Sequence, residues 1–154
     1  MSCARGYFAV AVTILACTGC GGGGYSPEGG VIVTGKVVKS GNPLDVPNRE
    51  VALGIVELVL LPLGVGEDGG ALPVESAHVA ADGSFRLEGP VKGIKPGRYR
   101  VAVYQRDRGP GSDLLAGAFS EQASPIEVDI PVDKRGGKHD LGVIELDDHA
   151  KKSP

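Results

Sequence analysis

The side chains with chemistry to offer fall into three groups. Cys17 and Cys20 bracket Thr18-Gly19, a spacing that can hold a metal or form a redox dithiol. A structural zinc site needs a second ligand pair. The remaining cysteine is Cys3, and His78, His139 and His149 lie scattered. A redox dithiol sits at a strand-to-helix turn, whereas four glycines, residues 21–24, follow here. The paired acids Glu67-Asp68 and Asp147-Asp148 fall in loop and tail settings without calcium-loop spacing, and read as solvated charge. Arg106, Asp107 and Arg108 close a strand and open a loop, where binding residues concentrate, and form the candidate binding loop. The competing reading is a solvated turn with local ion pairs worth little. The chain has no Gly-x-Ser-x-Gly nucleophile elbow and no His-Glu-x-x-His zinc motif. No catalytic residue, metal site or cofactor is assigned.

The cysteines make better sense with what precedes them. Residues 7–16 form an apolar run broken only by Thr13, behind the positive charge of Arg5. As a helix it would reach roughly 15 Å, about half of a bilayer's hydrocarbon core. That is too short to span and suits the apolar part of a secretory signal. The stretch Thr18-Gly19-Cys20 resembles the lipobox of bacterial lipoproteins, in which a small pair precedes a cysteine that is acylated and becomes residue one. The alternative register, Ile14-Leu15-Ala16-Cys17, has an aliphatic residue in the right slot but a bulky Leu15. Cys20 is favoured, with Cys17 the alternative, because cleavage before Cys20 leaves no free thiol in an oxidising compartment. The resemblance implies anchoring by several acyl chains, since one holds only marginally. An ordinary cleaved signal peptide is the bland alternative.

On this reading residues 1–19 are a lipoprotein signal peptide and 20–30 a Gly-rich tether with an end-to-end distance of roughly 17 Å. Residues 31–147 are one folded domain and 148–154 a disordered tail. Removing Arg5 with the leader leaves 15 basic and 19 acidic residues, so no basic face calls for nucleic acid. The 25 glycines and 11 prolines suit short strands joined by turns. With no Trp, the core must rest on Val, Leu and Ile.

Seven segments read as strands. Val31 begins the first, and the run from Val51 to Leu63 puts Val56, Leu58 and Leu60 on one face. Asp82-Gly83 marks a hairpin whose arms would bring Ala77 and Val79 against Phe85 and Leu87. After Pro96-Gly97 the chain alternates Tyr99, Val101 and Val103 inward with Arg98, Arg100 and Ala102 outward. A short turn near Ser112 or Asp113 would plug one end with Leu114, Leu115 and Phe119. Next, Ile126, Val128, Ile130 and Val132 alternate with polar residues, and Pro131 hints at an edge. The segment His139-Asp140-Leu141 opens the last strand. The expected fold is an all-β, seven-stranded antiparallel β-sandwich, transthyretin-like or immunoglobulin-like.

"GKVVKSGNPL", "ADGSFRL" and "IKPGRYRVAVY", in that order, resemble the carboxypeptidase regulatory-like family, a transthyretin-like sandwich. "DLLAGAFSEQASPIEVDI" is similar to a stretch of small bacterial lipoproteins of that group. The longer link at "DVPNREVALGI" departs from the pattern. The resemblance implies a non-catalytic domain. Two enzyme families share related sandwiches. Hydroxyisourate hydrolases end in Tyr-Arg-Gly-Ser, which this chain lacks. Intradiol dioxygenases bind iron with two Tyr and two His; Tyr99, Tyr104, His78 and His139 supply the types but not the close spacing. The expectation is a non-enzymatic, lipid-anchored envelope protein facing the periplasm or cell surface. Its domain would contact a protein or cell surface, lending an edge strand to a partner; the alternative is a small-ligand or carbohydrate-binding module on the same scaffold, although exposed aromatic platforms are few.

Overall fold

The structure, a computed structural model, describes residues 29–46, 54–66, 68–89, 93–107 and 112–150. These hold β1 (Ile32–Lys39), β2 (Asn42–Pro43), β3 (Ile55–Pro62), β4 (Glu75–His78), β5 (Ser84–Leu87), β6 (Gly97–Arg106), β7 (Glu127–Ile130), β8 (Lys138–Glu145) and α1 (Leu146–Ala150). The protein is all-β, with two sheets. One has β1 at its centre, paired with β8 on one side and with β5 and β2 on the other. The second runs β4-β3-β6-β7. The two-residue β2 is an addition to the segments read from sequence.

The period-2 alternation explains which side chains meet. Val33 and Val37 of β1, Phe85 and Leu87 of β5, and Ile144 of β8 enter one buried cluster. Val56, Leu58 and Leu60 of β3 and Tyr99, Val101 and Val103 of β6 enter it from the other sheet. Tyr99 is fully buried, and its hydroxyl donates to the Lys95 carbonyl at 2.9 Å, so the ring packs as core without an orphaned polar atom. Leu115 and Phe119 close one end as expected, but Leu114 turns outward and is 49 % exposed.

Three expectations change. First, the Asp82-Gly83 turn does not join two strands of one ladder: β4 pairs with β3 and β5 pairs with β1. The Val79 amide stays with Val56 and the Gly83 carbonyl accepts the Val37 amide, so the turn carries the chain from one sheet to the other. Ala77 and Val79 therefore meet Phe85 and Leu87 across the interior. Second, the sandwich is not wholly antiparallel, because β8 runs parallel to β1. β7 ends opposite Gly97, and residues 131–137 cross that end of the sandwich, so β8 starts where β1 starts. Third, α1 occupies residues that begin the expected tail. Leu146 is fully buried and draws the chain inward, while residues 151–154 lie outside the described residues.

A bulge sets the β1–β8 register. Thr34 faces Asp140 and Lys36 faces Val143, so Leu141 and Gly142 together oppose Gly35. Gly142 takes the bend at φ +70°, and its amide donates to the Asp140 carboxylate at 3.0 Å. Beside it, a Cβ on Gly35 would lie 2.7 Å from Phe85 Cζ and 3.0 Å from the Gly142 carbonyl oxygen. At the far end of this pair, the Glu145 carboxylate accepts the Ser40 and Gly41 amides at 3.0 and 2.7 Å. Asp147 accepts the Ser40 hydroxyl at 2.6 Å.

Gly35→Ala overpacks the Phe85 contact and should cost about 1–3 kcal/mol, read as a lower urea midpoint at unchanged m-value. Adding Phe85→Leu should restore part of that loss; full stability of Gly35→Ala alone would refute the contact. At the sheet-to-sheet turn, the Ser84 hydroxyl (2.6 Å) and amide (3.0 Å) donate to Asp82, and these bonds hold its carboxyl below the usual carboxylate value. A lowered carboxyl stabilises the fold above its unfolded value, and that contribution fades as pH falls through the folded one. Ser84→Ala should raise the Asp82 midpoint in an NMR titration. The two proteins should differ in stability at neutral pH and converge in acid.

Candidate interaction surface

β6 begins and ends at opposite poles of the domain. Its start adjoins the point where the chain enters the fold: Val31 and Ile94 exchange backbone hydrogen bonds of 2.8 and 2.7 Å, and the Gly136 amide donates to Gly30 at 2.8 Å. Ten strand residues carry the chain roughly 30 Å away. At the far pole lie Arg106 and Asp107, with the β1–β2 turn and Asp113.

Arg106 is the last strand residue rather than a free loop cation. Its guanidinium lies 3.5 Å from Glu57 of β3 and 5.0 Å from the centre of the Tyr104 ring. Glu57 stands opposite Tyr104 and also opposite His78 of β4, so a His78-Glu57-Tyr104 row crosses the outer face of the second sheet. The Tyr104 hydroxyl accepts the Glu121 amide at 3.2 Å, and Arg100 donates to the Glu121 carbonyl at 3.5 Å. The two side chains thus lean over Ala102, which is fully buried although it points away from the core. Arg100 Nε is buried beneath them without a hydrogen-bond partner.

Asp113 organises the next segment. Its carboxylate accepts amides from Gln105 (3.1 Å), Leu115 (3.2 Å) and Gly117 (2.9 Å). The expected helical turn does not form, since residues 114–119 are successive turns, and the carboxylate instead anchors them to the end of β6. The side chain of Gln105 in turn donates to the Asp45 carbonyl at 2.5 Å. Asp107 is half-buried beyond the strand. Arg108 lies outside the described residues, as do Cys17, Cys20, Glu67 and the whole leader.

The two Tyr and two His weighed as iron ligands do not gather in one place. His78 sits on β4 and His139 on β8, in different sheets, while Tyr99 is enclosed and Tyr104 engaged. Among the described residues, no three of His, Cys, Asp and Glu gather as metal ligands. Asp68 pairs with Lys95 at 3.7 Å and accepts the Gly70 amide; that amide first, then Lys95, holds its carboxyl low. Burial pushes the Glu75 carboxyl up. A groove of about 430 Å³ crosses the outer face of the first sheet over Gly35 and Gly142, rimmed by Thr34, Lys36, Ser84, Asp140 and Val143. It is open and presents no convergent set of reactive groups. Among the described residues, no helix is long and apolar enough to cross a membrane.

No family model matches the chain, and no curated protein or solved structure matches it significantly.

Sequence reasoning missed Glu57 as the partner of Arg106. The pair is 49 positions apart, and only the β3–β6 register, with Ile55 opposite Arg106, brings the two together. Asp113→Ala should cost about 1–3 kcal/mol, the range for hydrogen bonds to a charged group. Amide exchange at Leu115 and Gly117 should quicken while β3 stays protected. Unchanged exchange at Gly117 would deny Asp113 its organising role.

Proposed function

We propose that the chain is a non-enzymatic, lipid-anchored envelope protein whose β-sandwich presents its far pole to a protein partner. The anchor is the acylated Cys20, with Cys17 the alternative, and the domain is a transthyretin-like sandwich of carboxypeptidase regulatory-like type. The short apolar leader, the small pair before Cys20 and the glycines after it support the anchor. One observation favours contact at the pole: the chain enters the fold beside the start of β6, and Arg106 and Asp107 stand at its other end. A domain moored at its first residues holds that end outermost. Protein is favoured over glycan because the Arg106 guanidinium already sits over Tyr104, which removes an open aromatic platform.

The decisive experiment has two readouts on protein from native membranes. Mass spectrometry of the mature N-terminus should find an acylated Cys20. A photo-crosslinking residue at Asp107 should capture a protein, and the same residue at Lys134, beside the start of β8, should not. A chain that begins at Met1 in the soluble fraction sinks the anchor. Glycan-array binding without any crosslinked protein replaces the partner class.

A further inference from the structure

Among the described residues, the large apolar side chains left exposed are Val65, Val74, Leu114 and Val143. Two belong to one segment. Val65 (69 % exposed) and Val74 (60 %) lie on the segment between β3 and β4, where Ala71 and Pro73 are exposed as well. This segment is a small hairpin: Val65 bridges Ala71, and the Gly66 amide donates to Gly70 at 2.8 Å.

Its position is fixed from three sides. The Leu63 amide donates to Arg98 at 2.9 Å, Leu72 packs on Gly97, and Lys95 reaches Asp68. Ile94 in turn bonds Val31, so the hairpin stands at the pole where the chain enters the fold. Lys134, Arg135 and Lys138 are exposed at the same pole, next to Gly136, which holds Gly30.

Exposed apolar side chains grouped within a polar rim mark an interaction site. Here chain length selects the occupant. Eight residues separate Cys20 from Gly29, a reach of about 30 Å at most. An acylated Cys20 therefore holds the attachment pole within about 30 Å of the bilayer. Charge agrees. The acids Asp68, Asp133 and Glu88 are paired with Lys95, Lys134 and Arg86, and Arg135 and Lys138 offset Glu75 and Asp129, so this pole is close to charge balance. The opposite pole gathers Asp82, Asp107, Asp113, Glu145, Asp147 and Asp148 against Lys39 and Arg106. An anionic lipid surface repels the acidic second pole and tolerates the balanced first.

We propose that the β3–β4 hairpin is a membrane-contact surface, with Val65 and Val74 entering the headgroup–acyl boundary beside the anchor. The contact rests on the lipid anchor proposed above. It turns a loose mooring into a fixed orientation, with β6 pointing away from the membrane.

The test uses the full chain, processed in cells and recovered in its own membranes. Single cysteines replace Val65, Val74, Leu114 or Val143 and carry a polarity-sensitive fluorophore. A chain cut before Cys20 has no other free thiol to label. Lipids brominated near the carbonyl should quench the labels at 65 and 74 several-fold more than those at 114 and 143. Equal quenching at all four positions, on a chain whose N-terminal mass shows acylation, overturns the contact and leaves the anchor standing. Labels at 65 and 74 that are shielded from water yet unquenched by lipid mean a protein covers the hairpin, which also overturns the proposal. An N-terminus without acyl chains removes the anchor and the contact together.

Discussion

The first sheet hangs on one backbone. β2, β5 and β8 each pair with β1, so both edges of that single strand must be satisfied at once. The constraint is tightest at Gly35, where β5 supplies Phe85 from one side and the β8 bulge presents the Gly142 carbonyl from the other. The space a side chain would need is already filled by the Phe85 ring. Ring and glycine together make one core position, and any added carbon there must push apart strands that have no second partner in this sheet.

That arrangement also fixes what the ends of the molecule do. Because β8 is parallel to β1, both strands start at the pole where the chain enters and both finish at the other. The far ends are then locked by charge beside the buried Leu146: the Glu145 carboxylate fills the pair of amides offered by Ser40 and Gly41, and Asp147 takes the Ser40 hydroxyl. These charge-assisted bonds hold the last strand in place and make the far pole acidic. The near pole is closed differently, by backbone hydrogen bonds among Gly30, Val31, Ile94 and Gly136. One end is thus closed by backbone, with its charges of both signs set around exposed apolar residues, and the other by carboxylates.

How much of this can be read from sequence depends on the range of the interaction. The alternation of Tyr99, Val101 and Val103 is local and identifies the core face of β6 without help; so do Val56, Leu58 and Leu60 in β3. Pro131 marks β7 as an edge for an equally local reason, its missing amide. Asp82-Gly83 is different. Its turn geometry is legible, but whether the two arms pair with each other or with separate sheets depends on Val56 and Val37, far away in the chain. The parallel placement of β8 escapes notice because residues 131–137 carry only a three-residue 3-10 helix, Val132–Lys134, too short to announce a crossover. The candidate surface is harder still. Arg106 reads as a loop cation until the β3–β6 register places Glu57 under it, and Asp113 reads as a simple cap until Gln105 is found on the same carboxylate.

The edges of the sheets bear on how a partner could approach. An exposed edge strand invites another strand to pair with it, and the longest edge here is β8, eight residues from Lys138 to Glu145. It is poorly suited to that role. The bulge at Leu141 and Gly142 breaks its register midway, and Asp140 already takes the Gly142 amide. β4 and β7 are four residues each, and Pro131 ends the second without a donor. Strand addition would have to begin on one of these short or interrupted templates. Contact through the ends of the sandwich meets no such obstacle, because there the side chains already point outward and the backbone is satisfied by turns. Blunted edges and two chemically distinct poles are what a domain needs if it is to bind at its ends without pairing with its neighbours along its sides.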